Sequence, residues 1–140
     1  MVGLVIAAHG HLAAELVSTA EQIVGTLPGV ASCSVEPGAS PEDIRLSIKS
    51  AVKTVDDGQG VVVLADLLGG SPCTQSMSLC GKQLIEVVTG VNLPMLIKAN
   101  SMRGEGLTVK ALAEALVTYG QRNIALASAM LRDATRPAAS

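Results

Sequence analysis

The chain of 140 residues contains no tryptophan, no phenylalanine and a single tyrosine. Its core must therefore come from Ala, Val, Leu, Ile and Met, and the aromatic platforms on which single-stranded nucleic acid is usually stacked are missing. Basic excess is missing as well. A formal net charge of -2 at neutral pH argues against DNA or RNA as a partner. No Lys or Arg precedes Arg45, so the start has no charged leader region, and no apolar run approaches the roughly 20 residues of a membrane span. The three cysteines, Cys33, Cys73 and Cys80, are odd in number and without zinc-like spacing, which fits a reduced, cytoplasmic protein. Repeats and low-complexity tracts are also lacking. Residues 1–135 read as one domain, long enough to bury roughly two-thirds of the unfolded surface, and residues 136–140 as a short flexible tail that frays.

What the chain does have is a set of apolar runs with helical segments between them. Val2 to Ala8 is rich in Val, Leu and Ile without polar alternation, the mark of a strand covered on both faces in a parallel sheet. Leu12, Leu16, Thr19, Ile23 and Leu27 then recur at helical steps, closed by Pro28-Gly29. A second strand is expected over Ala31 to Glu36. Ser40-Pro41-Glu42-Asp43 reads as an N-cap, a first-turn proline and two acids that complement the helix dipole, with Ile44, Ile48, Val52 and Val55 turned inward. Val61 to Asp66 forms the third strand. Ser71 is expected to cap a helix that reaches Lys82, with Cys73 and Cys80 at core spacing on one face. Leu84 to Thr89 is the fourth strand, Asn92-Leu93-Pro94 opens a helix carrying Met95, Leu96 and Ala99 inward, Arg103-Gly104-Glu105-Gly106 breaks it, and a last helix spans about Leu107 to Tyr119. Asn123 to Ala129 would either extend that helix or form an edge strand, and the strand is the preferred reading.

Strand and helix alternate four times with short connections, which predicts a three-layer α/β/α sandwich around a parallel sheet. In the flavodoxin-like order 2-1-3-4, strands one and three are neighbours, and ligands bind outside their carboxyl ends. His9 ends the first of these strands and Asp66 the other. A carboxylate accepting one ring N–H of a histidine fixes the tautomer, leaves the second nitrogen as a nucleophile or base, and stabilises the cation that forms. Gly69, Gly70 and Ser71, at a helix N-terminus, can cradle an anion with backbone N–H groups and a hydroxyl. A nucleophilic nitrogen beside an anion cradle suits a phosphoryl group. Each feature alone has a structural explanation: a strand-end histidine, a loop-capping aspartate, a common helix start. Their meeting at adjacent strand ends is what points to chemistry. A metal pair of His9 with His11 would lack carboxylate or thiolate partners nearby, so no metal or other cofactor is expected. Gly69-Gly70-Ser71-Pro72-Cys73 fails as a nucleophile elbow because Cys73 stands where glycine is needed.

At these residues the sequence resembles the enzyme IIA (EIIA) component of the mannose family of the bacterial sugar phosphotransferase system (PTS). The matches are Ala8-His9-Gly10, Leu64-Ala65-Asp66-Leu67-Leu68-Gly69-Gly70-Ser71-Pro72 and Gly90-Val91-Asn92-Leu93-Pro94-Met95-Leu96, in order over most of the chain. The resemblance implies that His9 is the phosphorylated histidine, Asp66 its orienting carboxylate, and Gly69, Gly70 and Ser71 the phosphate cradle. It also implies a phosphocarrier that takes its phosphoryl group from the histidine-containing phosphocarrier protein (HPr). The group would pass to a IIB component, and the chain would meet a membrane only through a IIC/IID sugar channel. A fifth, antiparallel strand exchanged between the subunits of a homodimer would fall on Asn123 to Ala129. Leu67-Leu68 replace polar and aromatic residues often found there, so the docking surface is expected to differ. The chain ends without a IIB domain, so any IIB partner is expected to be met as a separate protein or not at all. Alternatives that need the same site are the phosphotransfer subunit of a dihydroxyacetone kinase system and a regulatory module read through the phosphorylation state of His9. A binding or structural dimer module without phosphoryl chemistry is a further alternative, in which His9 would be dispensable.

Overall fold

In the computed structural model, which describes residues 1–67, 69–81 and 83–134, the apolar N-terminal run forms strand β1, Gly3–His9, fully covered up to its last residue. Helix α1 (Leu12–Val24), strand β2 (Val30–Val35), helix α2 (Pro41–Val55), strand β3 (Val61–Ala65) and helix α3 (Ser71–Met77) follow. Strand β4 (Ile85–Val88), helix α4 (Leu93–Met102), a 3-10 turn (Arg103–Glu105), α5 (Val109–Arg122) and α6 (Ala127–Ala134) complete the chain. The four strands are parallel and ordered β2-β1-β3-β4, as expected. In register, Ala7 of β1 lies beside Ala65 of β3, so the two strands end together at the carboxyl edge of the sheet.

Alternation along the strands separates two apolar layers. Val2, Leu4, Ile6 and Ala8, with Val62 and Leu64, pack under α1, α4 and α5. Val5, Ala7, Val61 and Val63 pack under α2 and the segment after α3. Capping follows the sequence at three helices: Ser40 Oγ accepts from the Asp43 N–H at 3.1 Å, Asn92 Oδ1 from Met95 at 2.9 Å and Thr108 Oγ1 from Ala111 at 3.1 Å.

Four expectations are corrected. In α1 the sheet-facing residues are Ala13 and Ala20, with Leu16 and Val17 beside them, whereas Leu12, Thr19 and Ile23 are exposed; two alanines let the helix axis lie close to the sheet and turn the larger side chains outward. Helix α3 ends at Met77, because Ser78, Leu79 and Cys80 bend back to start the approach to β4. Lys82, its expected end, lies outside the described residues. Cys80 is consequently exposed rather than on a core face with the buried Cys73.

The fourth correction concerns Asn123 to Ala129, which is not a strand. Helix α5 continues to Arg122, Asn123 closes it by donating from Nδ2 to the Tyr119 carbonyl at 2.9 Å, and the chain re-enters helix at Ala127. Ala127, Ala129, Met130, Leu131 and Arg132 are good helix formers, and a strand would have needed a neighbouring edge to pair with. The expected tail at residues 136–140 lies outside the described residues.

Candidate functional site

Two residues after Ala7, at the same parity, His9 leaves β1 on the side of the sheet that carries α2 and α3. A turn through Gly10, at φ +59, directs the chain into α1. Glycine adopts this left-handed conformation without steric penalty, and its N–H prolongs the β1–β2 ladder by donating to the Val35 carbonyl at 3.1 Å. The imidazole is thereby left at the carboxyl edge of the sheet with its side chain 48% exposed.

Asp66 follows β3 directly and turns its carboxylate to His9. Oδ2 accepts from the His9 backbone N–H at 2.9 Å and from the His9 ring through Nδ1 at 2.7 Å, while Oδ1 accepts from the Leu67 N–H at 2.9 Å. The loop between β4 and α4 braces this strand end, because Gly90 N–H donates to the Asp66 carbonyl and Val91 N–H to that of Ala65. The Asp66 side chain is only 9% exposed. Burial by itself raises its pKa, but the hydrogen bonds from the His9 backbone, the His9 ring and Leu67 outweigh it, and the carboxyl titrates below its ordinary value of 3.8. At neutral pH it is ionised and can only accept. Nδ1 of His9 therefore carries a proton, and in the neutral ring Nε2 holds the lone pair.

The glycine pair comes next. Gly69 sits at φ +82, and Gly70, extended at φ -74 and ψ 162, is the N-cap of α3. Ser71 is thus the first helical residue and not the cap, since no side chain caps this helix; the run Ser-Pro suggested a serine cap because proline favours the first position, and here Pro72 takes the second. The His9 ring fills the space that a side chain at residue 70 would enter, since a Cβ built there would lie 3.0 Å from His9 Cε1. The structure accordingly joins His9 to Asp66 and places Gly70 next to the His9 ring, with Gly69 and Ser71 on either side of it in the same loop, while Leu68 lies outside the described residues. His11 stands at the N-cap position of α1 without a side-chain cap bond, exposed. One part of the arrangement was not anticipated: the loop after β4 braces β3 through bonds between backbone groups, to which side-chain patterns are blind. Among the described residues no group of three or more His, Cys, Asp or Glu side chains is placed to hold a metal, and no helix is long and apolar enough to cross a membrane.

Residues 3–117 match the family model EIIA-man, described as "PTS system fructose IIA component". Over 124 residues, 88% of this chain, the sequence is 30% identical to the PTS system mannose-specific EIIAB component of Escherichia coli, of whose length it spans 38%. It is 26% identical over 129 residues to the PTS system fructose-specific EIIA component of Bacillus subtilis, covering 91% of this chain and 88% of that one. Among solved structures, phosphotransferase system component EIIA from Streptococcus agalactiae superposes with a TM-score of 0.84 at 30% identity, covering 92% of this chain and 99% of that one. With the family model covering most of its length and the same parallel sheet beneath it, this chain belongs to the mannose-type EIIA family of the phosphotransferase system.

Proposed function

We propose that the chain is a phosphocarrier in which Nε2 of His9 takes a phosphoryl group from phospho-HPr and hands it to a IIB component of a sugar phosphotransferase system, in the cytoplasm and as a homodimer. The observation that carries this reading is the 2.7 Å bond between His9 Nδ1 and the Asp66 carboxylate, on a half-exposed ring. In the transfer, the bond from phosphorus to the donor's histidine nitrogen breaks as the Nε2–P bond forms, and the proton on Nδ1 stays in place. Positive charge grows on the ring as Nε2 commits its lone pair, and a carboxylate on the remote nitrogen stabilises that charge more than the neutral ground state. Phosphoryl transfer needs positioning and charge stabilisation more than covalent help. Gly69, Gly70 and Ser71 supply these on the phosphate side, through the backbone at the start of α3 and an exposed hydroxyl.

The test is incubation with phospho-HPr followed by intact mass. One acid-labile phosphoryl group is expected, lost in His9→Ala and kept in His11→Ala. Labelling that disappears in His11→Ala alone would move the assignment to the other histidine.

A further inference from the structure

The two adjacent glycines of the site are glycine for different reasons. Gly69 has a left-handed backbone and open space around it. Gly70 has φ -74 and ψ 162, which any L-residue adopts, so its backbone does not call for glycine. Its surroundings do. A Cβ built there would lie 3.0 Å from Cε1 of His9, 3.0 Å from Cδ1 of Leu67 and 3.3 Å from Leu67 Cγ, whereas carbon atoms rest in contact at about 3.5–4.0 Å.

The two neighbours are not equally free to yield. Leu67 is 51% exposed and can swing its side chain into solvent. The His9 ring is tied through Nδ1 to a carboxylate that also holds the His9 backbone N–H and is itself anchored by Leu67 N–H. A shift of about 0.5 Å at Cε1, the carbon between the two ring nitrogens, is read directly in the length and angle of the Asp66 bond.

We propose that Gly70 is a positioning residue for His9: the absence of a side chain there leaves the imidazole the room to keep Nδ1 on Asp66 and Nε2 free for transfer. The kinetic consequence rests on the phosphocarrier reading above; the ring geometry does not. A side chain at residue 70 would loosen the tautomer lock without touching either member of the pair chemically.

Nitrogen NMR of the histidine rings in the full chain tests this directly. In the wild type, His9 is expected as the Nδ1–H tautomer, with a nuclear Overhauser contact from its Cε1 proton to the Gly70 α-protons; absence of that contact overturns the proposal without any variant. Gly70→Ala should give a mixture of His9 tautomers in the phosphate-free protein and at least tenfold slower phosphorylation by phospho-HPr. Loss of a backbone cradle alone would slow transfer with the tautomer unchanged, and that result overturns the proposal. Leu67→Ala should keep the wild-type tautomer, and adding it to Gly70→Ala should not restore it, because the contact with Cε1 remains. Restoration in the double variant would put the collision on Leu67 instead and equally refute the idea. If wild-type protein takes no phosphoryl group at all, the functional reading fails while the tautomer comparison still decides the role of Gly70.

Discussion

At the scale of single residues, Asp66 is the group on which the site depends, because three donors converge on its two oxygens. Replacing it by Asn removes the charge that stabilises the cationic ring and puts an amide, donor as well as acceptor, against Nδ1. Asp66→Asn is expected to slow transfer from phospho-HPr by tenfold or more, about 1.4 kcal/mol or more in barrier, with HPr affinity within about threefold of wild type, less than 1 kcal/mol in binding. Rapid-quench rates set beside calorimetric affinities check this; a rate within about threefold of wild type, under 1 kcal/mol of barrier, would leave Asp66 a loop cap. The lowered pKa carries a stability consequence with a definite sign. A carboxyl whose folded value lies below its ordinary 3.8 stabilises the fold fully above that value, and the contribution fades as pH falls through the folded value. The difference in unfolding free energy between wild type and Asp66→Asn should therefore shrink as pH falls from about 5 to below about 4. Denaturant melts across that window measure it, and a difference growing toward acid would contradict the sign. Both members of the pair were legible in the sequence because each is the first polar side chain after an unbroken apolar strand. Gly70 was legible as a residue of the loop, but its nearness to the ring depends on where two distant strands end, which no local pattern encodes.

At the scale of elements, the sheet order and four of the helices could be read from strand runs and caps such as Ser40 and Asn92, whereas the helix faces were legible only in part. In α2 the inward stripe Ile44, Ile48, Val52 is both apolar and large, and the structure buries it. In α1 the inward positions are alanines, and small residues carry a weak signal against Leu12 and Ile23 on the same helix. Arg103 escaped notice for the opposite reason, since a charged residue in a helix-breaking turn reads as solvent-facing. It is buried. Its guanidinium donates to the carbonyls of Pro28 at 2.6 Å, Gly29 at 3.2 Å and Val2 at 3.3 Å, and to Asn100 Oδ1 at 3.0 Å. It thereby ties the end of α4 to the start of β1 and the turn before β2. Burial pushes its pKa down, and the bonds to carbonyls hold the charge. Arg103→Met keeps the volume and strands these acceptors, so the expected loss is about 3 kcal/mol of unfolding free energy, measured by denaturant titration. The tie lies at the amino edge of the sheet, and the His9 tautomer should not change with it.

At the scale of the whole molecule, the described chain leaves two sheet edges, β2 and β4, and a C-terminal segment that buries none of its helix. Ile124 and Leu126 are 78% and 68% exposed, and Met130 is exposed with them. Exposed apolar side chains and an open strand edge are liabilities unless a second surface covers them. In the homodimer proposed above, a second copy of the chain supplies that cover at the C-terminal segment. The body does not depend on the segment, since α5 ends at Arg122 with Asn123 as its cap and Gly120 buried before it. Truncation after Asn123 should therefore leave a folded domain that sediments as monomer or aggregates through the bared edge, where the full chain sediments as dimer. Amide exchange adds an independent reading. On dilution of the full chain into the monomeric range, the outer N–H groups of β4 should lose protection while those of β1, paired on both sides, keep theirs. A truncated protein that still sediments as a dimer would take the segment out of the interface and leave the β2 edge or a helix face as the contact.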